Sequence, residues 1–143
     1  MTVEPVIASK FLEKVRPLID EAVQMIDICV FDWRWYPSDP GGTCQQFNRA
    51  IVDAIRRGVS VRAIVNNQNV ADTLRQVGAQ VKKFHSAHLL HAKLMIIDDK
   101  IVITGSHNYT QSAFSANYEL SVILHDVENI GDYSQFFHNL WQH

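Results

Sequence analysis

His91-Ala92-Lys93-Leu94-Met95-Ile96-Ile97-Asp98-Asp99-Lys100-Ile101-Val102-Ile103-Thr104-Gly105-Ser106-His107-Asn108 is the stretch that decides the fold. Leu94 to Ile97 is an apolar run that buries a strand, Asp98-Asp99-Lys100 supplies turn residues, and Ile101-Val102-Ile103 returns as the next strand. His91 and Lys93 stand two apart, so on extended chain their side chains leave the same face. Antiparallel pairing brings Gly105 to Asn108 back beside His91, and Gly105 permits close backbone approach there. Further on, Asn117-Tyr118-Glu119 leads into another strand, expected over Tyr118 to Leu124.

Upstream of this hairpin the pattern alternates. Ala8 to Gln24 reads as an amphipathic helix that Pro17 bends or splits. Asp27 to Trp35 reads as a strand, and Pro37 to Gly42 as a loop. Thr43 caps a helix running to Arg57, which Gly58 ends. Val59 to Asn66 is a strand, Val70 to Val77 a helix closed by Gly78, and Gln80 to Phe84 a strand. Val127 to Trp141 reads as a last amphipathic helix. Strands interleaved with helices and followed by a hairpin predict an α/β fold, a mixed β-sheet flanked by helices on both faces. With 143 residues, 47% of them apolar, the chain is read as one domain, 1–143.

The residue types in the hairpin suggest a chemistry. A phosphodiester oxyanion needs fixed positive charge and hydrogen-bond donors, and Lys93 with Asn108 supplies both. An imidazole whose second nitrogen donates to a carboxylate is held in one tautomer and made more nucleophilic. Glu119 is the candidate orienter, and His91 would then attack phosphorus directly. This set demands no metal and no cofactor.

Read as H-x-K-x4-D-x6-G-S-x-N with a downstream N-x-E, the string closely resembles the HKD motif of the phospholipase D superfamily. The resemblance implies a phospholipase D-like fold, with His91 as nucleophile and Lys93 and Asn108 as phosphate ligands. It further implies Ser106 as a polar support and Glu119 as the carboxylate that orients the histidine. Asp98 would be the motif's aspartate, hydrogen-bonded within the framework of the site. Family members assemble the site from two copies of the motif, whereas this sequence holds it once. The chain therefore resembles the short, single-motif members, and a homodimer with its site across a twofold axis is expected.

Charge is uneven along the chain. The net value is −2, yet Ala54 to Ile97 holds seven basic residues and one acidic, Asp72. Lys82 and Lys83 are candidate substrate-binding residues on the rim of a cleft that draws a polyanion. The alternative is that Arg56, Arg57 and Arg75 solvate helix surfaces. Trp33-Arg34-Trp35-Tyr36, ahead of the Pro/Gly-rich loop, is a second candidate substrate-binding element. Trp33, Arg34 and Trp35 stack on bases, insert at a lipid interface, or pack in the core. His85, His88 and His91 lie three apart, but extended chain does not converge them, and no cysteine or carboxylate completes a metal tetrahedron. His107 alternates away from Ser106 and Asn108 and is expected to pack.

No apolar run is long enough for a membrane-spanning helix. Met1 to Pro5 lacks a basic region ahead of an apolar core, so no signal peptide is visible and a cytoplasmic location is expected. Cys29 and Cys44 lack metal spacing and read as free thiols. The function expected is a metal-independent endonuclease acting on DNA or RNA through a phosphohistidine. A phospholipid hydrolase of the phospholipase D or cardiolipin type is the alternative, and a noncatalytic nucleic-acid-binding module a third.

Overall fold

The computed structural model describes residues 2–126 and 128–143. One seven-stranded mixed sheet runs through the chain. Its strands are β1 (Thr2–Ile7), β2 (Met25–Val30), β3 (Ser60–Val65), β4 (Gln80–Lys83), β5 (Lys93–Ile97), β6 (Ile101–Gly105) and β7 (Leu120–His125). In space they lie in the order β1-β7-β6-β5-β2-β3-β4. β2, β3 and β4 are parallel, and the remaining pairings are antiparallel. Helices α1 (Phe11–Asp20), α2 (Thr43–Arg56), α3 (Gln68–Gln76), α4 (Gln111–Ser115) and α5 (Ile130–Trp141) complete the fold.

Both faces of the sheet carry helices, as the alternating pattern predicts. One core gathers Phe11, Val15 and Ile19 of α1 with Phe47 and Ile51 of α2, Leu74 of α3 and Phe114 of α4. The one-turn and two-turn spacing of Phe11, Val15 and Ile19 puts a single stripe on the sheet. A smaller core lies on the opposite face, where Phe137 of α5 packs on Cys29, Ile64, Leu94, Ile96 and Val102. Asp27 is buried within this layer, and Arg62 of β3 grips it through two hydrogen bonds of 2.8 and 2.7 Å. The guanidinium in turn lies 5.0 Å from the Phe137 ring and 5.4 Å from that of Trp141. A charge withdrawn from water is tolerated here because its partner and two aromatic faces replace the solvent.

Several boundaries move from their expected positions. Ala8–Lys10 is a separate 3-10 turn, and α1 runs unbroken through Pro17 to stop at Asp20. β2 ends at Val30, not Trp35; after one more backbone bond, from the Phe31 N–H to the Ala92 carbonyl, the chain peels off the sheet, and Trp33 bridges Tyr109 instead. Gly42, not Thr43, is the cap residue of α2, and no side chain caps it. Helix α3 starts earlier than expected, since the Asn67 side chain accepts from the N–H groups of Asn69 and Val70. The expected start of the last helix at Val127 lies outside the described residues. β1 and α4 had no sequence expectation at all. No described helix is long and apolar enough to cross a membrane.

Candidate active site

The β5–β6 hairpin forms as its sequence predicts, with Ile97 opposite Ile101 and Leu94 opposite Thr104. Asp98 and Asp99 both take positive φ, 54° and 53°, and the Lys100 N–H closes the turn on the Ile97 carbonyl at 3.0 Å. Two consecutive left-handed residues match the twist of the flanking strands, and aspartate accepts that conformation better than most. At the other end of the hairpin, Gly105 pairs with Ser121 of β7 at a φ of +154°. A Cβ there would collide with the Ser121 backbone and the Leu120 carbonyl. Glycine thus lets β6 and β7 close together where Ser106 leaves the sheet.

His91, Lys93, Ser106, Asn108 and Glu119 all lie at this end. The exposed His91 ring has Lys93 Nζ 3.3 Å from Nδ1 and 3.4 Å from Nε2, equally close to both nitrogens. The ring rests on Phe31 with 4.9 Å between centroids, and the same phenyl face lies 5.5 Å from the Lys93 ammonium. Desolvation lowers the Lys93 pKa from its ordinary value, and the Glu119 charge works against that shift. The Asn108 Oδ1 accepts from the Asp32 N–H at 3.2 Å, which leaves the two Nδ2 protons as the donors this side chain can offer a ligand. Ser106 Oγ donates to Glu119 Oε1 at 2.6 Å and accepts from the Leu120 N–H at 2.9 Å, while Asn117 donates to Glu119 Oε2 at 3.0 Å.

Three placements differ from expectation. Glu119 makes no hydrogen bond to His91; its carboxylate is taken up by Ser106 and Asn117. Asp98 sits at the far turn of the hairpin, about 17 Å along the strand from Lys93. There its carboxylate accepts from the N–H groups of Val23, Gln24 and Met25 at 3.0, 2.7 and 3.0 Å. Burial opposes its ionisation, but these three donors and the Lys100 charge outweigh it and hold the carboxyl below its usual range. Asp98 therefore anchors the hairpin to β2 and does not enter the cleft. Trp33 is core: it is 1% exposed, and its Nε1 donates to Asn48 Oδ1 at 2.7 Å. Trp35 packs half-buried against the same core, and the exposed Arg34 pairs with Asp32 at 3.2 Å.

The basic segment does not form a cleft rim. Lys82 Nζ donates to the carbonyls of Trp141 and His143 at 2.8 and 2.5 Å, across the end of α5. Lys83 alternates to the other face of β4, an edge strand three positions, about 14 Å, from β5. Arg57 donates to the carbonyls of Ile19 and Ala22, and Arg75 to that of Val81. Sequence spacing counted these charges correctly, but the parallel strands and helices scatter them over both faces.

His107 packs, as its alternation predicts. It is 1% exposed, with Nδ1 2.7 Å from Ser121 Oγ and Nε2 2.8 Å from the Ala8 carbonyl. Cys29 and Cys44 are free and buried; burial, then the charges of Asp27 and Asp32 respectively, push both thiols up to about 12. Neither is a nucleophile near neutrality. Among the described residues no group of three or more His, Cys, Asp or Glu side chains is arranged to hold a metal ion. Two hollows flank the site. One, of about 410 Å³, is lined by Phe84, Leu89, Leu90, His91, Phe136 and Leu140; the other, of about 440 Å³, by Ile7, Ser106, Tyr118, Glu119 and Leu120.

Comparison with known proteins identifies the family and agrees with the fold. The family model described as cardiolipin synthase, PLD-like domain, matches residues 15–141. The chain belongs to the PLD-like domain family. Among solved PLD-like structures, NucT from Helicobacter pylori superposes with a TM-score of 0.82 at 22% identity, covering 99% of this chain and 96% of that one. Nuc from Salmonella typhimurium, a phospholipase D family member, gives 0.83 at 20% identity, covering 99% and 94%. A mitochondrial cardiolipin hydrolase of Chlamydomonas reinhardtii is 30% identical over 143 residues, 96% of this chain but 58% of that protein. The PLD-like chain thus spans little more than half the length of the curated relatives it matches.

Proposed function

We propose that this PLD-like chain is a phosphodiesterase, and that it cleaves nucleic acid through a phosphohistidine on His91. The observation that carries the reading is the convergence of His91, Lys93 and the carboxamide of Asn108 at one end of the sheet. A ring nitrogen of His91 attacks phosphorus; the P–N bond forms as the P–O bond to the leaving group breaks. Lys93 and Asn108 balance the charge on the non-bridging oxygens. The leaving oxygen takes a proton from a second histidine, which then deprotonates the water that cleaves the P–N bond.

These 143 residues hold the motif once, and in this reading the second histidine is His91 of another copy. A bare stretch of sheet beside the site supports the pairing. On the face that α5 only partly covers, Ile7 of β1 stands opposite Leu120 of β7, 57% and 61% exposed, with Val3 52% exposed along the same row. Tyr118 projects beside them. This apolar row adjoins Glu119 and Ser106, so a copy docked on it by a twofold axis would bring the two sites together.

The resemblance of the motif to the short, single-motif members of the superfamily, nonspecific endonucleases among them, supports nucleic acid as substrate. A phospholipid diester is the second reading, favoured by the largely apolar hollow that opens at His91. Incubation with plasmid DNA in excess EDTA, wild type beside His91→Ala, tests the proposal. Nicking by wild type alone is the expected result. Cleavage of phospholipid vesicles in place of DNA or RNA would move the substrate to lipid. Tight DNA binding with no hydrolysis of any diester would make the chain a binding module.

A further inference from the structure

Asn66 follows the end of β3 and turns its carboxamide back toward the segment that carries His91. Both of its Nδ2 protons are engaged, one by the Leu90 carbonyl at 2.9 Å and one by the Phe31 carbonyl at 3.0 Å. The Phe31 N–H in turn donates to the Ala92 carbonyl at 3.0 Å. The residues on either side of His91 are therefore stitched to Phe31, one directly and one through Asn66. The Phe31 ring then supports the imidazole itself and the Lys93 ammonium beside it. Glu119 does not perform this task, since its oxygens are bound to Ser106 and Asn117. An exposed imidazole with no orienting carboxylate keeps its rotamer only through what touches it.

We propose that Asn66 is a positioning residue for His91, acting through the Leu90 carbonyl and the Phe31 ring. The inference rests on the reading of His91 as the nucleophile. The chemistry of the clamp requires an amide. Two carbonyl oxygens converge on one nitrogen, so the side chain must supply two protons from one atom. Serine supplies one, alanine none, and aspartate sets an anion against two acceptors.

The test compares Asn66→Ser, Asn66→Ala and Asn66→Asp with wild type on DNA. Expected is a fall in kcat on the order of 10- to 100-fold, as for a misplaced reacting group. The loss should be smallest for serine and largest for aspartate, with KM changing less than kcat because Asn66 bonds neither Lys93 nor Asn108 directly. Proton NMR of the His91 ring gives a second readout, independent of turnover. Its Cε1 proton should carry a ring-current shift from Phe31 that the Asn66 variants lose. Wild-type kcat together with an unchanged His91 signal in folded Asn66→Ala would overturn the proposal. Phe31→Leu leaves both Asn66 bonds in place and serves if the Asn66 variants do not fold; because the ring also faces Lys93, its readouts are kcat and the His91 signal, and both unchanged would count equally against the clamp. If wild type itself cleaves no diester, the phosphodiesterase reading fails, and the His91 signal still decides whether Asn66 positions the ring.

Discussion

Asp98 illustrates how one motif residue is separated from the others by the geometry of a strand. It lies in the same string as His91 and Lys93, but the strand carries it to the opposite end of the hairpin. Its work there is mechanical, since three backbone donors from the chain entering β2 end on its carboxylate. Asp98→Ala should lower the unfolding free energy by about 2 kcal/mol, the scale of losing hydrogen bonds to a charged acceptor. Turnover per folded molecule should be kept. Urea unfolding and an activity assay on the folded fraction check both parts, and a lost kcat at full stability would return Asp98 to the cleft. The held-down pKa sets the acid behaviour: this stabilisation is complete above the ordinary aspartate range near pH 4 and is lost as pH falls through the lower folded value.

Between elements, His107 fastens β6 to the rest of the site. The Ala8 carbonyl can only accept, so Nε2 carries the proton and Nδ1 accepts from the Ser121 hydroxyl. Phe11 of α1 and Phe114 of α4 press on the ring at 4.9 and 6.5 Å. Burial lowers the His107 pKa, against the bond to Ala8 and the charge of Glu119. A folded pKa below the unfolded value means that protons favour the unfolded chain. The stability His107 contributes is therefore complete above about pH 6.5 and drains away as pH falls through the folded pKa. Thermal unfolding between pH 7 and pH 5 should show this slope in wild type and a flatter one in His107→Gln, whose amide still reaches toward Ala8. Equal slopes would assign the effect to other groups. The same anchoring accounts for β1, which exists because β7 offers an edge to pair with. Its short Thr2–Ile7 run, broken by Pro5, gives no strand signal of its own.

For the whole molecule, the decisive feature is that α5 covers only part of its face of the sheet. Leu94, Ile96 and Val102 are sealed by Phe137, while Val3, Ile7 and Leu120 stay exposed beside the site. Leu120→Glu puts a charge on this row at a position that costs an isolated subunit little. Sedimentation should then show monomer where wild type shows dimer, and diester cleavage should fall with the dimer fraction. A wild-type monomer with full activity would overturn the shared site. Mixed with His91→Ala protein, wild type should lose activity beyond simple dilution, because each mixed dimer lacks one of the two histidines.

The sequence by itself determined the hairpin, the α/β order of elements and the set of polar groups at one sheet end. Strand periodicity and the spacing of His91, Lys93, Gly105, Ser106 and Asn108 are local properties, and local properties survive in one dimension. Tertiary structure decided everything that depends on which face meets which neighbour. It buried Trp33 on Asn48, took Lys82 to the end of α5, and gave Glu119 to Ser106 and Asn117. It also brought Asn66 from β3 to the segment holding His91, a contact between residues 24 apart that no motif spacing encodes. Pairing across a sheet is fixed by strand order, and strand order is settled only when the whole core packs.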